Sequence, residues 1–432
     1  MWQSDPAHPI LQSMASHSAR RIRIGVATAA AAAGLAVAIP TVAGAAFPGS
    51  NGNLVFQSTQ PGILPCPPLT STELFSIAPT GGAVSQVDCS GNTDQHAFGS
   101  PDGSEVIFAS DRIDGSSFSL FTESVSGTGL TSVSQNLPNG ASDDYPSWAP
   151  ASPGNQNGII FQRTLPLGQP QIYTENITVP NSIVPVFADT TGFSDSQPVY
   201  DPSNGNEIAF TRTYAGQKSR IFTYNLATHV LTDLSTLNGD TNSNDSKPDF
   251  APGLDGSGHQ LILFQSDRAT PAAGSGTSNG PCVGPQLYTM TDQTVPNAII
   301  PVLQTWSGGM PTGIQKCASV TVGTTTTLVA DLNPVFSPDG SQVAFDQSGT
   351  PGYGITTQDV FTGYDVPFLH GAAYGAPTDL TPNFATDGAP TWLPVQPGVS
   401  TPEAPATLFL PLAALGLFGG GVLVVRRRRR LA

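Results

Sequence analysis

Short runs of alternating apolar and polar residues, separated by turn-forming residues, recur along most of the chain. The stretch "PVFSPDGSQVAF", from Pro334 to Phe345, shows the unit: two apolar runs on either side of Ser-Pro-Asp-Gly. Alternation of this kind predicts half-buried strands, and Pro followed by Asp-Gly predicts the tight turn of a hairpin. The pattern therefore predicts an antiparallel β protein built from many short hairpins.

Six copies of this unit follow one another, mostly about 50 residues apart. Each copy has a first strand with an aromatic residue near a Pro, and a second strand that ends in Phe. The aromatic residues of the first strands are Phe98, Trp148, Tyr200, Phe250, Phe336 and Trp392. The second strands end at Phe56, Phe108, Phe161, Phe210, Phe264 and Phe345. A long period made of four short strands predicts a β-propeller.

The first and last copies are incomplete in complementary ways. The strand that ends at Phe56 has no aromatic-Pro strand before it, and "PTWLP" around Trp392 has no partner after it. We expect the C-terminal strand to complete blade 1 and close the ring, which leaves no free sheet edge. The predicted fold class is therefore all-β, a six-bladed β-propeller over residues 46–395.

Units such as "SPDGSEVIFASDRIDG" and "PVFSPDGSQVAF" resemble the repeats of TolB-type β-propellers over about residues 50–394. The resemblance implies a six-bladed fold. It leaves the function open, because such propellers serve as periplasmic or surface adaptors, as domains attached to peptidases and, in a few cases, as polysaccharide lyases.

The N-terminal segment does not fit this core. In residues 1–45, Arg20, Arg21 and Arg23 precede an apolar stretch of small residues that ends in an A-x-A cleavage site at Ala45. These features predict a secretory signal peptide, with an uncleaved membrane helix as the alternative.

The C-terminal segment predicts a membrane anchor. A Pro-rich linker (396–405) precedes an apolar stretch (406–425) that is long enough for a transmembrane helix, and a basic tail (426–432) follows it. From Pro402 onward the tail resembles the C-terminal sorting signals of PEP-CTERM-type exported bacterial proteins. A plain single-pass anchor is the alternative. Either way, we predict an exported protein held at the bacterial cell surface, with its arginines in the cytoplasm.

The predicted exported part is strongly acidic. Residues 46–403 contain 8 Lys and Arg against 30 Asp and Glu, a net charge of −22. Such a surface repels phosphate backbones, which excludes nucleic acid as a partner and favours cations or basic protein surfaces.

Strand order predicts the roles of the four cysteines. If the strands of a blade are named A to D from the inner edge outward, the long segments fall in the B–C and D–A loops, which leave one face. Cys66 and Cys89 lie in these two loops of blade 1, and Cys282 and Cys317 in those of blade 5. We therefore expect the disulfides Cys66–Cys89 and Cys282–Cys317, with a redox or metal site as the alternative.

An Asp stands three residues before the Pro, or its equivalent Ala97, of each A strand. These residues are Asp94, Asp143, Asp195, Asp245, Asp331 and Asp387. They are expected either to cap their own loops or to form an acidic ring at the channel mouth, where Ca²⁺ is a possible ligand. His96, two residues after Asp94, is the histidine to test first as a ligand or base.

Two functional hypotheses remain. The first is a non-enzymatic adaptor that binds a protein or glycan through its loop-rich acidic face. It is favoured because the sequence contains no recognised catalytic motif. The second is a polysaccharide-active enzyme, a lyase or hydrolase, with a metal-assisted site at the channel mouth.

Overall fold

The computed structural model describes most of the chain between residues 47 and 396. The described ranges are 47–63, 66, 71–134, 140–150, 157–180, 182–188, 191–239, 242–255, 258–268, 284–292, 299–301, 306–307, 310–311, 319–322, 325–328, 330–348, 358–363, 378–382 and 385–396. The predicted signal peptide, linker, apolar segment and basic tail lie outside them, as do Cys282 and Cys317. Within these ranges, no helix combines the length and hydropathy that a membrane span requires.

The described strands include six four-stranded antiparallel sheets, which we name blades 1 to 6. Blade 1 contains β1 (Ser50–Ser58), β2 (Glu73–Ile77), β3 (Ser85–Gln86) and the last strand, β28 (Asp387–Val395). Blade 2 contains β4 (Asp94–Gly99), β5 (Glu105–Ser110), β6 (Ser119–Ser124) and β7 (Thr128–Ser132). Blade 3 contains β8 (Ser142–Trp148), β9 (Gly158–Thr164), β10 (Pro170–Asn176) and β11 (Val184–Pro185).

The remaining blades follow the same order, from a long inner strand to a short outer one. Blade 4 contains β12 (Phe193–Tyr200), β13 (Glu207–Tyr214), β14 (Ser219–Asn225) and β15 (Leu231–Asp233), and helix α1 (Leu234–Leu237) follows it. Blade 5 contains β16 (Asp245–Leu254), β17 (Gln260–Ser266), β18 (Gln286–Thr291) and β19 (Ile300–Pro301). Two small ribbons pair β20 (Trp306–Ser307) with β21 (Met310–Pro311), and β22 (Ser319–Val322) with β23 (Thr325–Leu328). Blade 6 contains β24 (Ala330–Phe336), β25 (Val343–Ser348), β26 (Gln358–Gly363) and β27 (Thr378–Asp379).

The ring closes as the sequence predicts. Strand β28 pairs antiparallel with β1, so that Trp392 lies opposite Leu54 and Thr391 opposite Val55. The inner strands β28, β4, β8, β12, β16 and β24 contact one another in that order, and β24 contacts β28 again. The all-β propeller is therefore confirmed, and its closing strand comes from the far end of the sequence.

The hydrophobic core lies between neighbouring blades. One cluster joins Ile107 and Leu120 of blade 2 to Trp148 and Phe161 of blade 3. The Phe residues predicted at the ends of the B strands, including Phe161, are fully buried. Because burying such a side chain contributes about 1.5–3 kcal/mol, these repeated contacts hold the blades together.

The prediction that Phe98 occupies the aromatic position of blade 2 is wrong. Gly99 lies opposite Val106 just as Trp148 lies opposite Ile159, so Gly99, not Phe98, is the equivalent of Trp148. A Cβ atom on Gly99 would lie only 2.6 Å from the carbonyl oxygen of Trp392. The closing strand thus leaves no room for a side chain there, and the aromatic residue stands one position earlier.

Candidate functional site: the central channel

A β-bulge in each inner strand forms the candidate site. In all six blades, the second and third residues after the predicted Asp together oppose a single residue of the neighbouring strand. The first residue of each bulge lies two positions after the Asp and has a positive φ of 46–56°. We call these residues the channel ring: His96, Tyr145, Gln197, Lys247, Asn333 and Ala389.

The left-handed backbone of the channel ring is held in place from the neighbouring blade. A bulge removes an N–H group from the strand ladder, and that group needs another acceptor. Gln57 Oε1 of blade 1 accepts the His96 N–H at 3.1 Å, and Gln265 Oε1 of blade 5 accepts the Asn333 N–H at 2.8 Å. In blade 2 the equivalent of Gln57 is Ala109, which has no acceptor side chain.

Tyr145, which faces Ala109, finds its acceptor in its own strand instead. The Tyr145 N–H donates to Asp144 Oδ1 at 2.8 Å. The Lys247 N–H is shared between Gln197 Oε1 at 3.0 Å and Thr211 Oγ1 at 3.2 Å. The bulges are thus fixed by hydrogen bonds that link most blades to the next.

The channel ring surrounds a cavity of ≈ 110 Å³. All six ring residues line it, together with the Pro or Ala that follows each of them. The ring side chains are His, Tyr, Gln, Lys, Asn and Ala, whereas the Asp two positions earlier is the same in every blade. A left-handed conformation costs a non-glycine residue about 1–2 kcal/mol, yet none of the six positions is Gly. Side chains are therefore present at six positions where glycine would relieve the strain of the backbone.

Three ring side chains form a stack at one side of the cavity. The His96 and Tyr145 rings lie 3.8 Å apart at an angle of 23°, and the Lys247 Nζ lies 3.8 Å from the Tyr145 ring centroid. His96 Nδ1 lies 2.7 Å from Asp144 Oδ1; a carboxylate only accepts hydrogen bonds, so Nδ1 carries the proton. Burial lowers the pKa of His96, although Asp144 acts in the opposite direction. The partner of His96 is thus Asp144, not Asp94.

A second layer beneath the ring alternates between polar and apolar side chains. Ser147, Asp249 and Thr391 each accept the backbone N–H of the next blade, from Tyr200 (3.3 Å), Phe336 (2.7 Å) and Gly99 (3.2 Å). The other three blades have Phe98, Val199 and Val335 at this position. Asp249 is the one acid of the set, and burial raises its pKa to about 7.

The six predicted aspartates lie on the inner strands, next to strand B of the same blade. Each of them is at most 1% exposed. In blades 3 and 4 an Arg lies directly opposite the Asp. Arg163 donates to both oxygens of Asp143 at 2.6 and 2.7 Å, and Arg212 to both oxygens of Asp195 at 2.7 Å. These are the bidentate pairs that a guanidinium and a carboxylate form best.

The other four aspartates are bound in related ways. In blades 2 and 5 a Ser lies opposite the Asp, and an Arg two residues later reaches back to it. Arg112 Nη2 lies 2.9 Å from Asp94 Oδ1, and Arg268 Nη2 lies 2.7 Å from Asp245 Oδ1. Gln347 donates to Asp331 at 2.7 Å, and Ser58 donates to Asp387. The six aspartates are therefore buried and paired with neighbouring side chains, and they do not form an open acidic ring at the channel mouth.

The predicted disulfide of blade 1 is present. Cys66 and Cys89 are bonded to each other, 23 residues apart in sequence. The predicted Cys282–Cys317 pair stays a prediction.

Glu73, Asp88 and Asp94 form an acidic cluster beside this disulfide, and their carboxylate oxygens lie within 4.8 Å of one another. Arg112 lies in the same cluster and bonds both Asp88 and Asp94. Carboxylates of this kind are the ligands that hard cations prefer. Because the guanidinium already occupies part of the space and supplies positive charge, we do not assign a metal to the cluster.

Buried glutamates around the aspartates predict an unusual pH dependence of stability. Burial is the main cause that raises the pKa of Glu73, Glu123 and Glu175 to about 7 from an ordinary value of 4.5. Since the folded state holds these protons more tightly than the unfolded state, their stabilising contribution is complete below about pH 4.5 and is lost as the pH rises through 7. The free energy of unfolding is therefore expected to fall between pH 5.5 and pH 8, by about 1 kcal/mol for each glutamate after allowance for solvent screening.

Urea unfolding of the wild type and of Glu123→Gln across this interval measures the effect. The variant should show a smaller decrease, whereas Glu105→Gln, at an exposed position of β5, should behave like the wild type. His96 contributes in the opposite direction, because its folded-state pKa is lowered. Equal slopes for the wild type and Glu123→Gln would contradict the prediction.

Comparison with known proteins supports the fold. TolB from Acinetobacter baumannii matches with a TM-score of 0.51 and 14% identity, over 79% of this chain and 67% of that one. Hydrazine synthase from Kuenenia stuttgartiensis matches with a TM-score of 0.52 and 13% identity, over 81% of this chain but only 48% of that one. An oligogalacturonate lyase in complex with manganese matches with a TM-score of 0.40 and 11% identity, over 77% of this chain and 74% of that one. This last overlap is too loose to support an inference.

The two matches with a TM-score above 0.5 support the class of fold: the chain has a β-propeller fold that is similar to that of TolB. No family model and no curated protein matches the sequence. At identities this low the similarity extends to the fold and not to the activity.

Proposed function

We propose that the chain is an exported propeller that binds a protein partner at the loop-rich end of its central channel and catalyses no reaction there. The observation that carries this proposal is the channel ring. Six equivalent backbone positions with a common Asp framework present six different side chains to one cavity. Framework residues recur because the fold needs them, whereas side chains that differ at equivalent positions point to recognition.

The size of the cavity favours a protein partner over a glycan. Pockets for small molecules usually measure about 300–1,000 Å³. A cavity of ≈ 110 Å³ suits a single inserted side chain. A protein can place one anchor there and bury further surface on the surrounding loops.

The charge distribution favours a basic partner. Half of the 8 basic residues in 46–403 are paired with inner-strand aspartates and therefore do not neutralise acidic side chains at the surface. These residues are Arg112, Arg163, Arg212 and Arg268. An acidic surface attracts basic partners and speeds their association. Export is supported by the Cys66–Cys89 disulfide, since such bonds persist in oxidising compartments.

Site-specific photo-crosslinking on intact cells tests the proposal. A photoreactive residue at Thr191 or Asn242, in the loops that lead into β12 and β16, should capture a defined protein. The same residue at Asp102 or Asp339, in the turns at the other end of the inner strands, is the matched control and should not. Equal capture at both ends, or none at either, would count against the proposal.

A polysaccharide-active enzyme is the second candidate, and one observation favours it. His96, oriented by Asp144, and Asp249, with a pKa raised by burial to about 7, line the same cavity. An oriented imidazole and a carboxyl group of this pKa are a suitable base and acid for proton transfer. Release of unsaturated uronic sugars that is lost in His96→Gln would establish this alternative.

A further inference from the structure

Among the basic residues that the structure describes, Lys247 is the one without a carboxylate oxygen within ion-pair distance. The structure describes seven Lys and Arg residues, and six of them have a carboxylate oxygen within 4.0 Å. Among the described residues, none of the acids lies that close to the Lys247 Nζ. This is unexpected in a part of the chain with 30 acidic residues, because a lysine there can pair at little cost.

The backbone fixes the position of Lys247. Its φ is +56°, its N–H is bound by Gln197 and Thr211, and Pro248 follows it. The side chain is directed to the cavity that it lines, where its Nζ lies over the Tyr145 ring. The His96 ring stacks on the same Tyr145 ring. The ammonium group is thus held at the cavity by a rigid bulge and an aromatic surface.

Three acids that line the cavity or contact its lining residues accept hydrogen bonds from other donors. Asp144 accepts hydrogen bonds from His96 Nδ1 (2.7 Å), Gln95 Nε2 (3.0 Å) and the Tyr145 N–H (2.8 Å). Asp346 accepts from Asn333 Nδ2 at 2.7 Å and from the Ala389 N–H at 3.1 Å. Asp249 accepts the Phe336 N–H at 2.7 Å. Both hydrogen bonds to Asp346 reach Oδ1, and its buried Oδ2 has no hydrogen-bond partner among the described residues. Burial raises the pKa of Asp346, and Lys247 acts on this carboxylate only through its charge, which opposes that rise, without forming an ion pair within 4.0 Å. The Lys247 ammonium group is therefore not engaged in a direct contact with a described carboxylate and can contact a ligand.

We propose that Lys247 and Tyr145 bind a single carboxylate of a partner peptide, supplied by an acidic side chain or by a C-terminus. This rests on the function proposed above, since it names the anchor that enters the channel. A carboxylate accepts hydrogen bonds from both an ammonium and a phenolic hydroxyl. The prolines after the ring residues give the cavity an apolar wall against which the stem of the anchor packs.

The overall charge decides between a peptide and a polyuronate. A chain of uronic acids carries a negative charge on every unit, and a net charge of −22 repels it. One carboxylate within an otherwise basic or neutral peptide avoids this repulsion. The expected ligand is therefore a basic segment with one acidic anchor.

Calorimetric titration of the full chain at low salt tests the inference with matched probes. The first pair is acetyl-Lys-Gly-Leu-Glu-Gly-Lys-amide and the same peptide with Gln in place of Glu. The second pair is acetyl-Lys-Gly-Lys-Gly-Leu with a free and with an amidated C-terminus. A charge-assisted contact predicts that at least one acidic member binds about tenfold more tightly than its neutral counterpart. The two pairs distinguish a side-chain anchor from a C-terminal one.

Three variants assign the effect to Lys247. Lys247→Met should abolish the preference, Lys247→Arg should retain it, and Lys218→Met, at an exposed lysine paired with Asp267, should leave it unchanged. Urea unfolding of each variant shows whether the fold is intact. Equal binding within both pairs, no binding of any peptide, an unchanged preference in Lys247→Met, or tighter binding of an oligogalacturonate would each overturn the inference.

The two proposals fail separately. If crosslinking captures a partner on cells and Lys247→Met captures it equally well, the proposed function stands and the carboxylate anchor does not. If the peptides show the Lys247-dependent preference and the cells yield no partner, the anchor stands and the proposed function does not.

Discussion

Arg212→Met is expected to lower the free energy of unfolding by about 3–5 kcal/mol, because it leaves the Asp195 carboxylate buried without a counter-charge. Arg212 donates to both oxygens of Asp195, and its guanidinium carbon lies 3.9 Å from the centroid of the Phe193 ring. Asp195 is completely buried, so water cannot replace the lost donors. Urea unfolding at pH 7 measures the loss.

Two further variants separate the pair from its surroundings. Asp195→Leu combined with Arg212→Met should lose less stability than Arg212→Met alone, since no uncompensated charge remains. Arg220→Met breaks the more exposed pair with Asp233 and should cost at most about 1 kcal/mol. A loss for Arg212→Met no larger than that for Arg220→Met would show that the buried aspartate framework does not stabilise the propeller.

Removing β28 is expected to abolish cooperative unfolding. A chain that ends after Ala385 lacks the inner strand of blade 1, in which eight of the nine residues are buried. Loss of Trp392 alone removes about 3–5 kcal/mol, a large part of the 5–15 kcal/mol that stabilises a typical domain. The deletion also exposes the edge of β1, which favours aggregation. Calorimetry and light scattering of the truncated chain measure both effects.

A chain that ends after Gln396 is the matched control. It retains β28 and the hydrogen bonds of Gln396 Nε2 to the carbonyl groups of Pro48 and Pro101. This shorter truncation should unfold cooperatively. If the chain that ends after Ala385 unfolds like the control, closure by β28 is not what holds the ring together.

The sequence contains enough local information to predict the propeller and its closure. Strand alternation, the Asp-Gly turns and the buried Phe residues are local patterns, and their repetition identifies the blades. The pairing of Trp392 with Leu54 followed from counting incomplete units, although the two residues are 338 positions apart. That inference needed only the rule that a ring leaves no free sheet edge.

The candidate site was harder to predict, because its residues depend on contacts between strands. The aspartates were recognised, but their partners were not, since the Arg stands opposite the Asp in some blades and two residues further on in others. The Ser-x-Arg sequences at Ser110 and Ser266 were the available signal. Of the channel ring, the sequence singled out only His96. The residue before each A-strand Pro marks the whole ring, once the bulge is known to turn it into the channel.

The division between constant framework and varied ring bears on how such a protein can evolve. The ring backbone is held by prolines and by side chains of the adjacent blade, so a substitution at Tyr145 or Lys247 changes what the cavity presents while the buried aspartates and phenylalanines stay as they are. Descendants of one ancestral gene could therefore acquire new partners through a few exchanges at six positions, without having to re-establish a stable scaffold each time.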